Sequence, residues 1–135
     1  MSETPAPNAP SWRRRHWLML TVLFILIVPS GLVAAWVWTT LNYAYSTGER
    51  AGYAQKLSQK GWLCKTWEGE LAMANLPGTM PEIFKFSVRN DSIAHMLENN
   101  LGKKMSITYA QHKGVPTTCF GETEYYITNV RMVEP

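Results

Sequence analysis

Trp17 to Trp38 is a run of twenty-two residues without a charge. At about 1.5 Å of rise per residue, a helix of this length crosses the roughly 30 Å hydrocarbon layer of a bilayer. Arg13, Arg14, Arg15 and His16 precede it, and the first charge beyond it is Glu49. The excess of arginine on one flank predicts a cytoplasmic N-terminus and a C-terminal part on the far side. Trp12 and Trp17 at one end, and Trp36, Trp38, Tyr43 and Tyr45 at the other, suit the two headgroup layers. Pro29, Ser30 and Gly31 weaken helix propensity in mid-span, which a membrane helix tolerates with a kink. The competing reading is a cleaved signal peptide, with Val33-Ala34-Ala35 as the cleavage site. Against it, the apolar run exceeds the ~7–15 residues of a signal h-region and continues past that site.

After the span the period changes to two. Arg50 to Gln59 reads as a strand with Tyr53, Gln55, Leu57 and Gln59 on one side, closed by a turn at Ser58 to Gly61. Trp62 to Met73 reads as a second strand, with Leu63, Trp67, Leu71 and Met73 on a buried face and Cys64, Thr66, Glu68 and Glu70 on a solvated one. Asn75 to Pro81 breaks the pattern, and Ile83 to Val88 resumes it with Phe84, Phe86 and Val88 in phase. Then Ile93, Met96, Leu97 and Leu101 repeat at helical spacing, capped by Asn90 or Asp91 and stopped by Gly102. Strand character returns at Met105, Ile107 and Tyr109, gives way to a polar loop from Gln111 to Gly121, and ends with a strand from Glu124 to Val133.

The predicted layout is a tail over residues 1–16, a single N-terminal transmembrane helix over 17–41, a connector over 42–48 and a small mainly-β domain over 49–135. The Pro-rich tail is expected to be disordered. Five strands with one helix between the third and fourth is the element order of the OB-fold, a five-stranded, partly open Greek-key barrel. The alternative is an α+β split sheet with one packed helix.

Charge matters only once it is apportioned. The whole chain carries 13 Lys and Arg against 10 Asp and Glu, a net of +3. From Glu49 onward the count is ten against nine, a net of +1, because Arg13, Arg14 and Arg15 carry the excess. A nearly neutral domain without a basic stripe argues for no nucleic-acid partner. The expected partners are the lipid bilayer and an envelope protein or glycan.

Cys64 and Cys119 are the only cysteines. In an OB-fold the loops joining strands one to two and four to five border one surface. Cys64 follows the first and Cys119 lies in the second, so a disulfide is expected in an oxidising compartment, with two separate thiols as the alternative. Closing a loop of about 55 residues would stabilise by roughly 4 kcal/mol. Other chemistry is sparse. His112, Cys119 and Glu122 in one loop suggest a thiol nucleophile with its base, or part of a metal site, yet no ligand pair has metal spacing and a disulfide would consume the thiol. No catalytic residue, cofactor or metal is expected. Glu68 and Glu70 read as a solvated outer face, and His95 as a surface histidine. The expected binding face combines Lys60, Trp62, Lys65, His112, Lys113, Phe120 and Tyr125, with Trp67 and Tyr126 near it, a mixture of aromatic and cationic groups.

The stretches Tyr45-Ser46-Thr47-Gly48-Glu49-Arg50-Ala51-Gly52, Leu57 to Leu71, His112-Lys113-Gly114-Val115-Pro116 and Cys119-Phe120-Gly121-Glu122-Thr123-Glu124-Tyr125 resemble a family of small proteobacterial inner-membrane proteins. The resemblance covers essentially the whole C-terminal domain and implies an inner-membrane location with a periplasmic domain. Many members carry the label 6-phosphogluconate dehydrogenase. This chain lacks the glycine-rich strand-to-helix turn and the separate substrate domain such an enzyme requires, so the label is not carried over. The expected role is a membrane-anchored periplasmic binding or scaffold module. The alternative is an envelope enzyme using Cys119 and His112.

Overall fold

The computed structural model describes residues 11–73 and 77–134. The Pro-rich leader over 1–10, expected to be disordered, and Asn75 in the expected break fall outside them. The described residues divide into two compact units, one ending at Trp36 and one beginning at Val37.

Helix α1 runs from Trp12 to Asn42 and is long and apolar enough to cross a membrane, with a mean hydropathy of 2.5 in its most apolar stretch. Arg13, Arg14, Arg15 and His16, assigned to the tail, form its first turns. Pro29 lies inside the helix, and the Ser30 hydroxyl donates to the Leu26 carbonyl at 2.7 Å. The expected connector over 42–48 shrinks to Tyr43, Ala44 and Tyr45, because strand β1 begins at Ser46 and continues to Lys60. Backbone pairing of Ser46, Thr47 and Gly48 with Gln111, Ala110 and Tyr109 supplies the bonds that the sequence pattern does not reveal.

The remaining elements are β2 (Thr66–Met73), β3 (Ile83–Val88), α2 (Asp91–Glu98), β4 (Lys104–Gln111) and β5 (Tyr125–Met132). This is the expected order, with the helix between the third and fourth strands. All five strands join one mixed sheet that closes in the order β1-β2-β3-β5-β4. Every pairing is antiparallel except a parallel bridge from Ser87 to Tyr126 that joins β3 to β5. The split-sheet alternative does not hold.

The core is formed by Leu71, Phe86, Val88, Leu97, Met105 and Ile107, all essentially without solvent contact. Fully burying one such side chain stabilises by about 1.5–3 kcal/mol. Helix α2 closes the core with Ala94 and Leu97. Its N-cap is Asn90, whose side chain accepts from the Ser92 N–H at 2.9 Å. The expected stripe is only partly right. Met96 and Leu101 are exposed, and Ala94 with Leu97 and the half-buried Ile93 makes the packed face. The helix also ends at Glu98, ahead of Gly102.

Two strand expectations change as well. A bulge between Ala54 and Lys56 shifts β1 by one position, which buries Ala54 and leaves Tyr53 exposed instead of in phase with Leu57. Strand β2 starts at Thr66, not Trp62. Residues 61–65 form a turn in which Gly61 adopts φ +126°, and the Cys64 carbonyl approaches so closely that no Cβ would fit. Leu63, expected on the buried face, is therefore 99% exposed.

Candidate functional site

Register sorts the sheet into two faces. Leu57, Gly69 and Phe86 pair across β1, β2 and β3 on the inner side, so the next row, Ser58, Glu68 and Ser87, points outward, as does Lys56, Glu70 and Lys85. Glu68 thus has the expected orientation, but it is not solvated. The segment from Cys119 to Thr123 folds over it. Glu68 accepts from the Thr66 hydroxyl at 2.8 Å, the Ser87 hydroxyl at 2.6 Å and the Glu122 N–H at 3.0 Å. The Thr123 N–H donates to the Ser87 oxygen at 3.1 Å. Three donors on a single carboxylate are what make its burial tolerable. Gly121 allows the approach, because a Cβ there would sit 2.7 Å from the Ser87 Cβ and 2.8 Å from the Tyr126 ring.

The same segment is held covalently. Cys64 and Cys119 form a disulfide with their Cα atoms 4.9 Å apart, joining the β1–β2 loop to the β4–β5 loop. Beside the bond lies a groove of about 170 Å³ whose walls include Gln59, Lys65, Trp67, Arg89, Asp91 and Phe120. The Trp67 indole N–H donates to Asp91 at 3.1 Å, and its ring meets the exposed His95 edge-on at 5.9 Å. The Arg89 guanidinium stands 5.8 Å from the Phe120 ring and 6.0 Å from that of Tyr126. Burial pushes the Tyr126 phenol above its ordinary value of 10.0; Arg89 opposes the shift, and Glu68 and Glu124 add to it.

The structure therefore gathers only part of the expected face. Lys65 and Phe120 line the groove with Trp67. Lys60 turns toward Glu122, 3.7 Å away, at the rim of a smaller cavity. Trp62 projects into solvent. Lys113 lies 4.1 Å over the Tyr45 ring. Tyr125 belongs instead to an aromatic cluster with Phe84 at 5.0 Å and Tyr109 at 5.5 Å, over which Arg50 stacks. His112 is buried, and its Nδ1 lies 3.0 Å from the Thr40 carbonyl and 3.1 Å from that of Tyr43. Carbonyl oxygens only accept, so Nδ1 carries the proton and satisfies a carbonyl left open in the last turn of α1. It is not a base beside Cys119. Arg89, Asp91 and Gln59 were missed. Arg89 and Asp91 flank the helix cap just after β3, and only the fold brings them to the disulfide.

An apolar helix followed by a five-stranded mixed sheet of OB-fold-like form, with a cationic and aromatic groove beside its joined loops, defines the class of protein. Residues 44–135 match Domain of unknown function (DUF8785), and the chain belongs to that family. No curated protein matches it. Two solved structures of the mitochondrial single-stranded DNA binding protein Rim1 from S. cerevisiae share the fold, both with a TM-score of 0.50. One is 7% identical and covers 68% of this chain and 97% of that one; the other is 10% identical and covers 66% and 96%. At such identity the likeness establishes the fold alone. It does overturn the exclusion of nucleic acid, because the two neighbours that share the fold are themselves single-stranded DNA binding proteins. The exclusion rested on net charge summed over the domain. Such a sum is blind to two cations and two aromatic rings converging on one groove.

Proposed function

We propose that this chain is a membrane-anchored binding module of the cell envelope, not an enzyme, whose ligand surface is the groove of Lys65, Trp67, Arg89 and Phe120 on an OB-type barrel. The observation that carries the reading is the Cys64–Cys119 bond, which fixes the two loops at that groove and so presets its walls. In this reading α1 is a retained single-pass inner-membrane anchor with its N-terminus in the cytoplasm, and the domain is periplasmic. Arg13, Arg14 and Arg15 support that orientation, and the disulfide suits an oxidising compartment. The envelope-enzyme alternative is weaker, since its sulfur is bonded to Cys64 and its imidazole is engaged by Thr40 and Tyr43.

The reading is tested by capturing the intact chain from detergent extracts of its host beside an R89A/F120A variant. Components held by the natural chain and lost from the variant support the groove, and identical captures refute it. A reporter fused after Pro135 tests topology: cytoplasmic activity refutes the orientation, and a mature chain that begins near Trp36 refutes the anchor.

A second reading is favoured by the Rim1 likeness: the groove takes single-stranded nucleic acid, with bases stacking on Trp67 and Phe120 and phosphates on Lys65 and Arg89. Anisotropy with labelled oligonucleotides decides it. Binding that weakens steeply with salt and is lost in R89A/F120A supports this reading, and an unchanged signal at low salt removes it.

A further inference from the structure

Trp62 is 102% exposed and Leu63 is 99% exposed, the two most exposed large apolar side chains described outside α1. They are adjacent, at the tip of the β1–β2 loop, and the loop is not free to fold them away. Lys60 pairs with Thr66 at its base, Gly61 makes the tight turn at φ +126°, and Cys64 is bonded to Cys119. Lys60 and Lys65 stand on either side; Lys60 also lies 3.7 Å from the Glu122 carboxylate, an exposed pair of the kind worth at most about 1 kcal/mol, which a lipid phosphate can replace. A preset loop that holds a tryptophan and a leucine in water, between two ammonium groups, is matched to a surface with an apolar interior and an anionic skin.

We propose that this tip docks into the headgroup layer of an anionic bilayer, Trp62 and Leu63 entering the interface and Lys60 and Lys65 meeting lipid phosphates. The proposal rests on the anchoring reading above. Under that reading only Tyr43, Ala44 and Tyr45 separate α1 from β1, at most about 10 Å of extended chain, so the domain works at a membrane surface. Indole rings favour the headgroup level, and lysines there are drawn to anionic lipid. A protein partner fits less well. Stable protein interfaces take roughly 800 Å² from each side with a packed centre, whereas this tip is convex and two side chains wide. A bilayer requires no complementary pocket.

The test uses the full chain labelled with 5-fluorotryptophan in nanodiscs of phosphatidylcholine, with and without phosphatidylglycerol, each doped with lipid spin-labelled near the top of the acyl chain. Single Trp→Phe variants assign the fluorine resonances. The anchoring reading predicts broadening of Trp17 and Trp36. The tip proposal predicts broadening of Trp62 as well, stronger in anionic discs, with Trp67 sharp as the control for an intact domain. Replacing Lys60 and Lys65 by Gln should remove the preference for anionic discs, about fivefold per lysine. If Trp62 stays sharp while Trp17 and Trp36 broaden, the tip proposal is overturned and the anchor stands. If Trp17 and Trp36 stay sharp, the anchoring reading fails, and the tip proposal that rests on it is overturned with it.

Discussion

Glu68 is the residue on which the cover of the outer sheet face depends, and two substitutions separate its possible contributions. In E68A, the Thr66 hydroxyl, the Ser87 hydroxyl and the Glu122 N–H all lose their acceptor. Ser87 can turn to the Thr123 oxygen 2.9 Å away, and the Glu122 N–H belongs to an exposed residue and can turn to water as the loop loosens. The Thr66 hydroxyl, on a buried residue, has neither route. One buried donor left unpaired costs about 1–3 kcal/mol, and loss of hydrogen bonds to a carboxylate adds about 1.5–3 kcal/mol. Together they predict a loss of roughly 2.5–6 kcal/mol, which opening of the loop would partly relieve. In E68Q the amide oxygen still accepts from Thr66 and Glu122, while the amide N–H₂ donates to Ser87, which then turns to Thr123. That variant should lose only about 1 kcal/mol. Urea unfolding of the intact chain in detergent gives the stabilities, and amide hydrogen exchange over residues 119–124 reports the loop. A loss in E68A below about 1 kcal/mol, or equal losses in E68A and E68Q, would refute the account of Glu68 as the acceptor that holds the loop down.

Gly121→Ala should cost about 1–3 kcal/mol through overpacking against Ser87 and Tyr126, with faster exchange over 119–124; an unchanged melting temperature would refute the close approach. His112→Ala leaves the Thr40 and Tyr43 carbonyls without their donor and should lower stability by about 1–2 kcal/mol, seen as faster exchange over residues 40–46; unchanged exchange there would refute the contact. Tyr126 holds its proton more tightly folded than unfolded, so its contribution to stability is whole below about pH 10 and is lost as pH rises through the raised value. In alkaline titrations Y126F should therefore lose stability less steeply above pH 10, and parallel curves would refute the assignment.

The regular elements were legible because each rests on a local pattern. Ile83 to Val88 matches β3 residue for residue, and the change of period after Asn90 located α2 to within a few positions. The misses fall where tertiary contacts decide. Nothing local marks Ser46, Thr47 and Gly48 as strand; pairing to β4, sixty residues later, makes them so. Trp62 and Leu63 carry strand propensity, but Gly61 turns the chain and the bond at Cys64 holds it there. Met96 and Leu101 satisfied a helical stripe that Ala94 fills, since a small residue lets the helix approach the sheet and leaves no apolar signature of its own.

The site was less legible than the fold for a definite reason. Its charges act through a loop that meets the sheet far along the chain. The Glu122 N–H reaches Glu68 across 54 residues, and the alternation of β2 reports only that Glu68 faces outward, not what lies above it. The cysteines were readable because two thiols admit only one pair. Their bond and the Glu68 contacts restrain the same segment independently, one covalently at Cys119 and the other through Glu122 and Thr123. Reduction would remove the first restraint, and with it about 4 kcal/mol of chain entropy over the 55-residue separation, while leaving the second in place. Had the bond been the only restraint, the groove wall at Phe120 would depend on redox state alone. With Glu68 beneath it, the loop keeps a second hold on the sheet within three residues of Phe120, so the groove is a property of the fold as well as of the disulfide.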